Sequence, residues 1–311
     1  MPLAVLLVAT IFAQNPLRTT ARLVVAPVTV NDAAGKPVHG LVKSDFRLFD
    51  NGAARDFDVE LLEQPVSLVV AIQTNSAAVA ALAKLKKVSS LFAPVVAGAR
   101  GGVAIVTFAD EVRVAQEFTA QPDISRLRAW GANARMLDAV DEGVRLLAQR
   151  PKSHRRVVLV VSEAKDHGSK APLNDVLKRA QAEGVTVFLA SYSPTATQFT
   201  SRDVPMSGPY SMATGGPNVI ALLRELGRLG SVDTAEALAH ETGGLRLKFT
   251  RESALEEAVA RIGEEIHTQY LLAFQPRNAG GEEYRAIRVD LPGRADLRWR
   301  TRPGYWITPE P

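Results

Sequence analysis

The residues best suited to chemistry are two carboxylates and an imidazole that follow one apolar stretch. Glu163, Asp166 and His167 come directly after the β-branched run at 155–161, so they fall on one loop. Asp166 and His167 would offer oxygen and nitrogen ligands to a transition metal. A polar loop of this composition is usually solvated, and a metal site here is the minor alternative. The other histidines are scattered without any H-x-x-x-H pair: His39, His154, His240 and His267.

Other enzyme signatures are absent from the sequence. It has no G-x-S-x-G, H-E-x-x-H, G-x-x-x-x-G-K-[ST] or G-x-G-x-x-G motif. Residues 34–37 (AGKP) resemble a phosphate loop only superficially, because Pro37 stands where a hydroxyl would be needed. The absence of cysteine excludes disulfides, zinc ribbons, iron–sulfur clusters and thiol catalysis. We therefore expect a protein that is not an enzyme and that has no cofactor.

The charge pattern argues against nucleic acid as a partner. The 37 Lys and Arg residues exceed the 33 Asp and Glu residues by little, which gives a net charge of +4. Residues 277–302 hold seven arginines among four acidic residues, a pattern that favours a solvated face over an anion-binding surface. Aromatic residues are not interleaved with these charges as single-strand binding requires. No apolar run reaches the roughly 18 residues of a stable membrane span.

The secondary structure predicted around these residues changes near residue 65, from β-rich to alternating strands and helices. Residues 22–63 are β-rich, and Asn51-Gly52 between apolar stretches predicts a tight hairpin. From residue 65 strands alternate with helices, which predicts a mainly parallel sheet with helices on both faces. Ligands of such sheets bind at the carboxyl ends of the strands. The predicted strands are 66–72, 102–108, 112–118, 155–161 and 185–190, and the predicted helices are 77–96, 138–149 and 173–182.

The remainder of the chain returns to β structure. A polar segment at 191–217 is predicted to be a long surface loop, and helices are predicted at 218–229 and 234–241. A last helix precedes strands at 268–274, 285–291 and 297–301. Each end of the chain alone has too few strands for an independent hydrophobic face. We therefore expect the two ends to pair in one small β domain.

Four segments in this order resemble the bacterial VWFA-related domain proteins. They are 28–52 (VTVNDAAGKPVHGLVKSDFRLFDNG), 238–244 (LAHETGG), 269–276 (QYLLAFQP) and 302–305 (RPGY). The resemblance implies a secreted protein whose α/β core has the Rossmann-like fold of von Willebrand factor type A domains. It also implies a metal-ion-dependent adhesion site at the strand tops, that is, at the carboxyl ends of the parallel strands. There a D-x-S-x-S loop, a Thr and an Asp hold a divalent cation that an acidic group of the partner completes.

The positions implied by this resemblance have lost most of their ligands. The D-x-S-x-S loop falls on Gln73, Asn75 and Ala77, the Thr falls on Ala134, and the last Asp falls on Glu163. Mg²⁺ needs hard oxygen ligands that include one or two carboxylates. Only Glu163 keeps a charge, and Ala77 and Ala134 supply no ligand. We predict a degenerate site that binds no metal, whose residues are possible partner contacts.

The predicted division of the chain follows from these observations. Residues 1–14 are predicted to be a signal peptide, since the 11-residue apolar run at 3–13 lies before Pro16. The alternative for this run is a buried first strand or helix. The other units are a β segment at 22–63, an A-like domain at 64–250, a connecting helix at 251–266 and a β segment at 267–308.

The sequence favours an exported, non-catalytic, adhesion-type protein-binding module, either secreted or in the periplasm or cell envelope. Its partner, an unidentified protein, is expected at the strand tops or the loop at 191–217. The first alternative is an envelope scaffold or assembly subunit that uses the A-like core as a packing element. The remote alternative is an enzyme whose site is unrecognised.

Overall fold

The computed structural model describes residues 23–60, 64–98, 100–192, 233–249, 252–277 and 281–307. The predicted signal peptide at 1–14 and the helix predicted at 218–229 lie outside the described residues. So does the predicted loop at 191–217, apart from its first two residues.

Fourteen strands and five α-helices are described. The strands are β1 (Val24–Asn31), β2 (Arg47–Asp50), β3 (Ala53–Arg55), β4 (Asp58–Glu60), β5 (Val66–Gln73), β6 (Gly102–Phe108), β7 (Val112–Thr119), β8 (Arg155–Ser162), β9 (Val185–Ser191), β10 (Arg246–Lys248), β11 (Tyr270–Phe274), β12 (Glu283–Asp290), β13 (Arg298–Thr301) and β14 (Gly304–Ile307). The helices are α1 (Val79–Val88), α2 (Met136–Ala148), α3 (Leu173–Ala182), α4 (Thr234–Thr242) and α5 (Glu252–Thr268).

The central sheet has six strands in the order β10-β9-β8-β5-β6-β7. All neighbours are parallel except β7, which is antiparallel to β6. Counted along the chain this is the order 3-2-1-4-5-6 of doubly wound folds, whose direction of winding reverses between the first and fourth strands. The predicted Rossmann-like fold class with its mainly parallel sheet is confirmed, and the reversal lies between β5 and β8.

Helices cover both faces of this sheet because side chains alternate along each strand. Leu68, Val70 and Ile72 of β5 pack in the cluster that contains the buried residues of α1 and α5. Val69 and Ala71 point to the other face, where they pack with α2, α3 and α4. Burial on both faces explains why β5 reads as a continuous apolar run.

The two ends of the chain form the predicted small β domain. Its antiparallel sheets have the orders β13-β1-β11-β4 and β14-β12-β2-β3, so each contains strands from both ends. Buried side chains of the two sheets pack in one cluster, among them Val28, Leu48 and Val289. Asn51 and Gly52, which join β2 to β3, both have positive φ (51° and 82°), as a type I′ turn requires. The predicted hairpin turn at Asn51-Gly52 is confirmed, but its second strand is β3. The apolar stretch predicted to form that strand, 57–62, instead contains β4, which pairs with β11 in the other sheet.

The helix predicted at 77–96 is shorter than expected. After α1 the chain forms a 3-10 turn at Ser89–Leu91 and a π-helical segment at Phe92–Ala97. The Ser89 hydroxyl donates to the Lys86 carbonyl (2.9 Å), which is a local competitor for helical hydrogen bonding. Pro94 has no N–H to donate. No helix among the described residues is long and apolar enough to cross a bilayer.

The prediction of a solvated face over residues 277–302 is wrong for Arg285 and Arg302. These residues are only 8% and 3% exposed. The Arg285 guanidinium contacts Glu283 and lies 3.8 Å from the buried carboxylate of Asp50. Arginine is buried mainly where it is paired, and the Asp50 partner is far away in the sequence.

A buried polar cluster joins the β domain to the central sheet, and we call it the junction network: Thr29, Arg155, Glu265, Gln269 and Arg300. The Gln269 amide donates to the Thr29 hydroxyl (2.9 Å) and to the Gly243 carbonyl (3.0 Å). Arg300 forms an ion pair with Glu265. Arg155 donates to the Gln269 side-chain oxygen and to the Ile266 carbonyl. Burial lowers the pKa of Arg155 to about 10, and Glu265 opposes that shift.

Candidate functional site

The candidate site lies where the winding of the central sheet reverses. Gln73 is the last residue of β5, and Glu163 follows β8 directly. The chain leaves β5 toward α1 on one face and leaves β8 toward α3 on the other. Two loops that diverge in this way leave a crevice at the carboxyl ends of the strands, which is where open α/β sheets bind ligands.

Three of the predicted site residues meet across this crevice, and we call them the Gln73 network: Gln73, Asn75 and Glu163. The Gln73 Nε2 donates to Asn75 Oδ1 (2.8 Å) and to Glu163 Oε1 (2.7 Å). The Gln73 Oε1 accepts the backbone N–H of Glu163 (2.9 Å). The parallel pairing of β5 with β8 brings residues 90 positions apart into this contact.

Backbone groups fix the orientation of both amides. The N–H of Glu163 must face an oxygen, so it holds the Oε1 of Gln73 toward itself and leaves Nε2 for the two side-chain oxygens. Asn75 Nδ2 donates to the Ala132 carbonyl (3.2 Å), which turns its Oδ1 toward Gln73. Backbone donors and acceptors cannot exchange roles, whereas side-chain amides can be assigned either way round. The direction of each hydrogen bond therefore follows from the fold.

The other two predicted positions supply no side-chain oxygen. Ala77 lies exposed on the 3-10 turn that precedes α1. Ala134 is buried, and its backbone exchanges hydrogen bonds with that of His167 (3.1 and 2.9 Å). The structure thus brings together Gln73, Asn75 and Glu163, whereas Ala77 and Ala134 add no polar side chain.

The donor set does not fit the divalent cation that A-type domains hold. Mg²⁺ needs several oxygens pointing at one centre, with carboxylates to balance its charge. Here Asn75 Oδ1 and Glu163 Oε1 both accept hydrogen bonds from Gln73 Nε2, and Gln73 Oε1 accepts the N–H of Glu163. A neutral N–H₂ group is thus bonded to two of the oxygens that a cation would require, and the second Glu163 oxygen alone cannot hold Mg²⁺. Glu163 is the only carboxylate of the network, so the charge of a divalent ion would not be balanced.

The alternative pair Asp166 and His167 is arranged as helix-capping structure. The Asp166 carboxylate accepts the N–H of Leu137 in the first turn of α2 (3.0 Å) and the hydroxyl of Ser169 (2.6 Å). His167 has an exposed side chain. Within the described ranges no three His, Asp or Glu residues are grouped as metal ligands. Asp166 therefore stabilises the start of α2.

A second carboxylate ties the same loop to the same helix. Asp138 accepts the backbone N–H groups of Lys170 (3.0 Å) and Ala171 (2.8 Å). It also forms an ion pair with Arg135 (2.6 Å). The loop after β8 is therefore held at both ends, and it forms a firm rim beside Glu163.

The opposite rim is held by Asp110. Its carboxylate accepts the backbone N–H groups of Asn133 (2.9 Å) and Ala132 (3.2 Å), which lower the pKa of Asp110. Gly131 has φ of 77°, and a Cβ there would lie 2.6 Å from the Asp110 carboxylate. Trp130 donates its backbone N–H to the Thr74 carbonyl (2.6 Å). The segment 130–133 is thereby fixed against the end of β5.

Tyr192 is a site residue that the sequence analysis did not identify. It follows β9, its N–H donates to the Ser162 carbonyl (3.1 Å), and its ring packs against Phe249. Tyr192 is 5% exposed, yet its hydroxyl has no hydrogen-bond partner in the described part of the chain. Burial raises the pKa of Tyr192, and the nearby Glu163 carboxylate raises it further. One feature of the sequence could have identified Tyr192: it directly follows β9, and β9 is the neighbour of β8, the strand that Glu163 follows.

Comparisons with known proteins give likeness in structure only. No protein-family model matches the sequence, and no curated protein matches it. The chain is similar to an aerotolerance-related membrane protein from Bacteroides fragilis with multiple mutations to serines, at 12% identity and a TM-score of 0.41, over 64% of this chain and 99% of that chain. A conserved hypothetical protein, BatB from Bacteroides thetaiotaomicron, gives 13% identity and a TM-score of 0.41, over 64% and 99%.

A von Willebrand factor A domain is also among the similar structures. The SpRpn10 VWA domain gives 10% identity and a TM-score of 0.41, over 63% of this chain and 94% of that chain. The fold class rests on the strand order and helix placement of the chain itself.

Proposed function

We propose that this chain is an exported, non-catalytic, adhesion-type protein-binding module that acts without a bound metal. The observation that supports this most directly is the Gln73 network. It lies in the crevice where sheets of this topology bind ligands, and its polar groups are held by hydrogen bonds that need no cation. Firm rims on both sides, anchored by Asp110 and Asp138, keep Glu163 and its neighbours in a fixed arrangement. A preorganised polar crevice of this kind suits recognition of a protein surface.

A contact between a serine and a histidine elsewhere in the fold gives little support to catalysis. A serine–histidine contact does exist, between Ser67 Oγ and His154 Nδ1 (2.9 Å). It lies at the amino end of β5, far along the strand from the crevice, and Ser67 is fully buried. Arg150 donates to the same hydroxyl (3.1 Å). Burial and the nearby guanidinium groups of Arg150 and Arg156 lower the pKa of His154. A substrate would not reach this serine, so we assign the contact to packing.

The second candidate is an envelope scaffold that uses the helical face as its contact surface. The observation that favours it is the length of α5, whose apolar side packs on the sheet while Glu256 and Glu257 are exposed. The two candidates therefore place the partner on different surfaces. Lys165 is an exposed residue at the strand-top rim, and Glu256 is an exposed residue on the helical face.

Site-specific photo-crosslinking distinguishes the two candidates. A photoreactive amino acid is placed at Lys165 or at Glu256 in the full chain, and the products are captured from the cell envelope in EDTA and in Mg²⁺. The proposal predicts crosslinks to protein from position 165, in equal yield with and without metal. Crosslinks from position 256 alone would favour the scaffold. Crosslinks from position 165 that disappear in EDTA would contradict the metal-independent mode.

Export is proposed from the apolar run at 3–13 and is tested separately. We expect mass spectrometry of the protein recovered from the envelope or the medium to show a first residue near Gln14. An intact amino terminus in the cytosolic fraction would contradict export.

A further inference from the structure

The carboxylates around the crevice differ in how many hydrogen bonds and ion pairs they form. Asp110, Asp138 and Asp166 each accept hydrogen bonds from two backbone N–H groups, and Asp138 also pairs with Arg135. In the described part of the chain, the Glu163 carboxylate accepts a single hydrogen bond, from the Gln73 amide to Oε1. Among the described residues its Oε2 has no hydrogen bond and its charge has no ion pair. A half-buried carboxylate in this state has capacity for a cationic donor.

A second, independent observation is the Tyr192 hydroxyl on the adjacent strand. It is nearly inaccessible and has no hydrogen-bond partner among the described residues. Leaving a buried hydroxyl without a partner is costly, so such groups call for an explanation, a ligand being one. The Tyr192 backbone is bonded to Ser162, the residue before Glu163, so both unsatisfied groups lie at the same end of the same strand pair.

We propose that the strand top binds a basic side chain, arginine or lysine, of the protein partner. The proposal rests on the proposed function and names the chemistry that its site would recognise. In a metal-dependent adhesion site, a cation on the domain receives an acidic group of the partner. Here the domain supplies the negative charge, so the polarity of recognition is reversed.

The unused hydrogen-bonding groups of the site also favour a basic partner group over an acidic one. Both protons of the Gln73 amide nitrogen are already donated, to Asn75 and Glu163, so that group cannot serve a partner's carboxylate. The acceptors that no described residue uses are the second carboxylate oxygen of Glu163 and the buried hydroxyl of Tyr192. A guanidinium or ammonium group carries several N–H donors and the complementary charge. An acidic group would instead meet the uncompensated charge of Glu163.

The test uses random twelve-residue peptides displayed on phage and panned against the full chain in EDTA. We expect enrichment of arginine or lysine at one position of the selected peptides. Those peptides should lose at least about tenfold in affinity for the Glu163→Gln variant, since a charge-assisted hydrogen bond is replaced by a neutral one. Tyr192→Phe should weaken the same peptides by a smaller factor. Thermal unfolding of each variant verifies that it is folded.

Glu111→Gln is the matched control. Glu111 follows β6, so it lies at the same edge of the sheet as Glu163, and it is already paired with Arg113 (2.9 Å). The substitution removes the same charge as Glu163→Gln. We expect the selected peptides to bind this variant as they bind the unmodified chain.

Three results would overturn the proposal: enrichment of acidic peptides, absence of any charge preference, or equal binding to Glu163→Gln and the unmodified chain. None of these removes the proposed function if position 165 still crosslinks to a protein in EDTA. Loss of that crosslink would remove the proposed function itself, so the two failures are distinguishable.

Discussion

Two polar networks in this chain are each built around a glutamine amide, and they differ in how their charge is balanced. In the junction network, Gln269 lies beside Glu265, and the guanidinium groups of Arg155 and Arg300 complete the cluster. In the Gln73 network, Gln73 lies beside Glu163, and no cation completes it among the described residues. Gln269 and Gln73 are both almost fully buried, so burial of the amide does not separate the two.

The difference indicates what each network is for. The one carboxylate of the junction network, Glu265, is paired with Arg300, and Arg155 donates to the Gln269 side chain and the Ile266 carbonyl. These hydrogen bonds connect the β domain to the sheet, so the network contributes to the cohesion of the fold. The carboxylate of the Gln73 network, at the crevice, has no ion pair with any residue that the structure describes. Removal of a charge should therefore destabilise the fold at the first network and leave it nearly unchanged at the second.

The largest effect is expected for Glu265→Gln. This change leaves the partly buried guanidinium of Arg300 without its carboxylate, and breaking a buried ion pair in this way costs about 3–5 kcal/mol, so we expect a loss in the lower part of that range. Urea unfolding should report the loss in the free energy of unfolding. Glu264→Gln, at the exposed neighbouring position, is the control and should change stability little. A loss of less than about 1 kcal/mol in Glu265→Gln would contradict the structural role of the junction network.

A smaller loss is expected for Gln73→Leu. The change removes the amide that satisfies Asn75 Oδ1, Glu163 Oε1 and the N–H of Glu163. Unsatisfied buried groups of this kind cost about 1–3 kcal/mol, and water at the crevice keeps the cost in the lower part of that range. The same leucine substitution at exposed Gln149 is the control for the change in hydrophobicity. Equal unfolding free energies of the two variants would show that the Gln73 hydrogen bonds do not hold the site.

Glu163→Gln should leave the unfolding free energy within about 0.5 kcal/mol of the unmodified value. The new amide keeps an oxygen that can accept from Gln73, and no ion pair is lost. This is the same chemical change as Glu265→Gln, so urea unfolding of the two variants side by side measures the difference between the networks. A loss at Glu163 as large as that at Glu265 would mean that its charge is paired after all.

Much of the fold follows from local patterns in the sequence. The continuous apolar run of β5 predicted a strand covered on both faces, and the spacing of Leu137, Val140, Val144 and Leu147 predicted α2. The start of α2 lies two residues earlier than predicted, because Asp166 on a distant loop accepts the N–H of Leu137. Strands β3, β10 and β14 were not predicted, and they have only three, three and four residues. Strands β10 and β14 also pair with distant partners.

The candidate site could be predicted in position but not in contacts. The rule that ligands bind at the carboxyl ends of parallel strands placed Gln73 and Glu163 at one edge. Their direct hydrogen bond depends on the register of β5 with β8, which no local pattern reports. Arg285 and Arg302 were expected in solvent for a related reason, since Asp50, the partner of Arg285, is more than two hundred residues away. The lack of metal binding stays a prediction.

Thermal unfolding in EDTA and in millimolar Mg²⁺ or Mn²⁺ tests most directly whether the strand top works without a cation. A ligand that binds only the folded state adds about 2.7 kcal/mol at 100 times its dissociation constant. We predict coincident melts for the unmodified chain. The melt should rise with metal in the variant that restores the five ligand positions: Gln73→Asp, Asn75→Ser, Ala77→Ser, Ala134→Thr and Glu163→Asp. A metal-dependent rise in the unmodified chain, abolished by Glu163→Ala, would contradict the account.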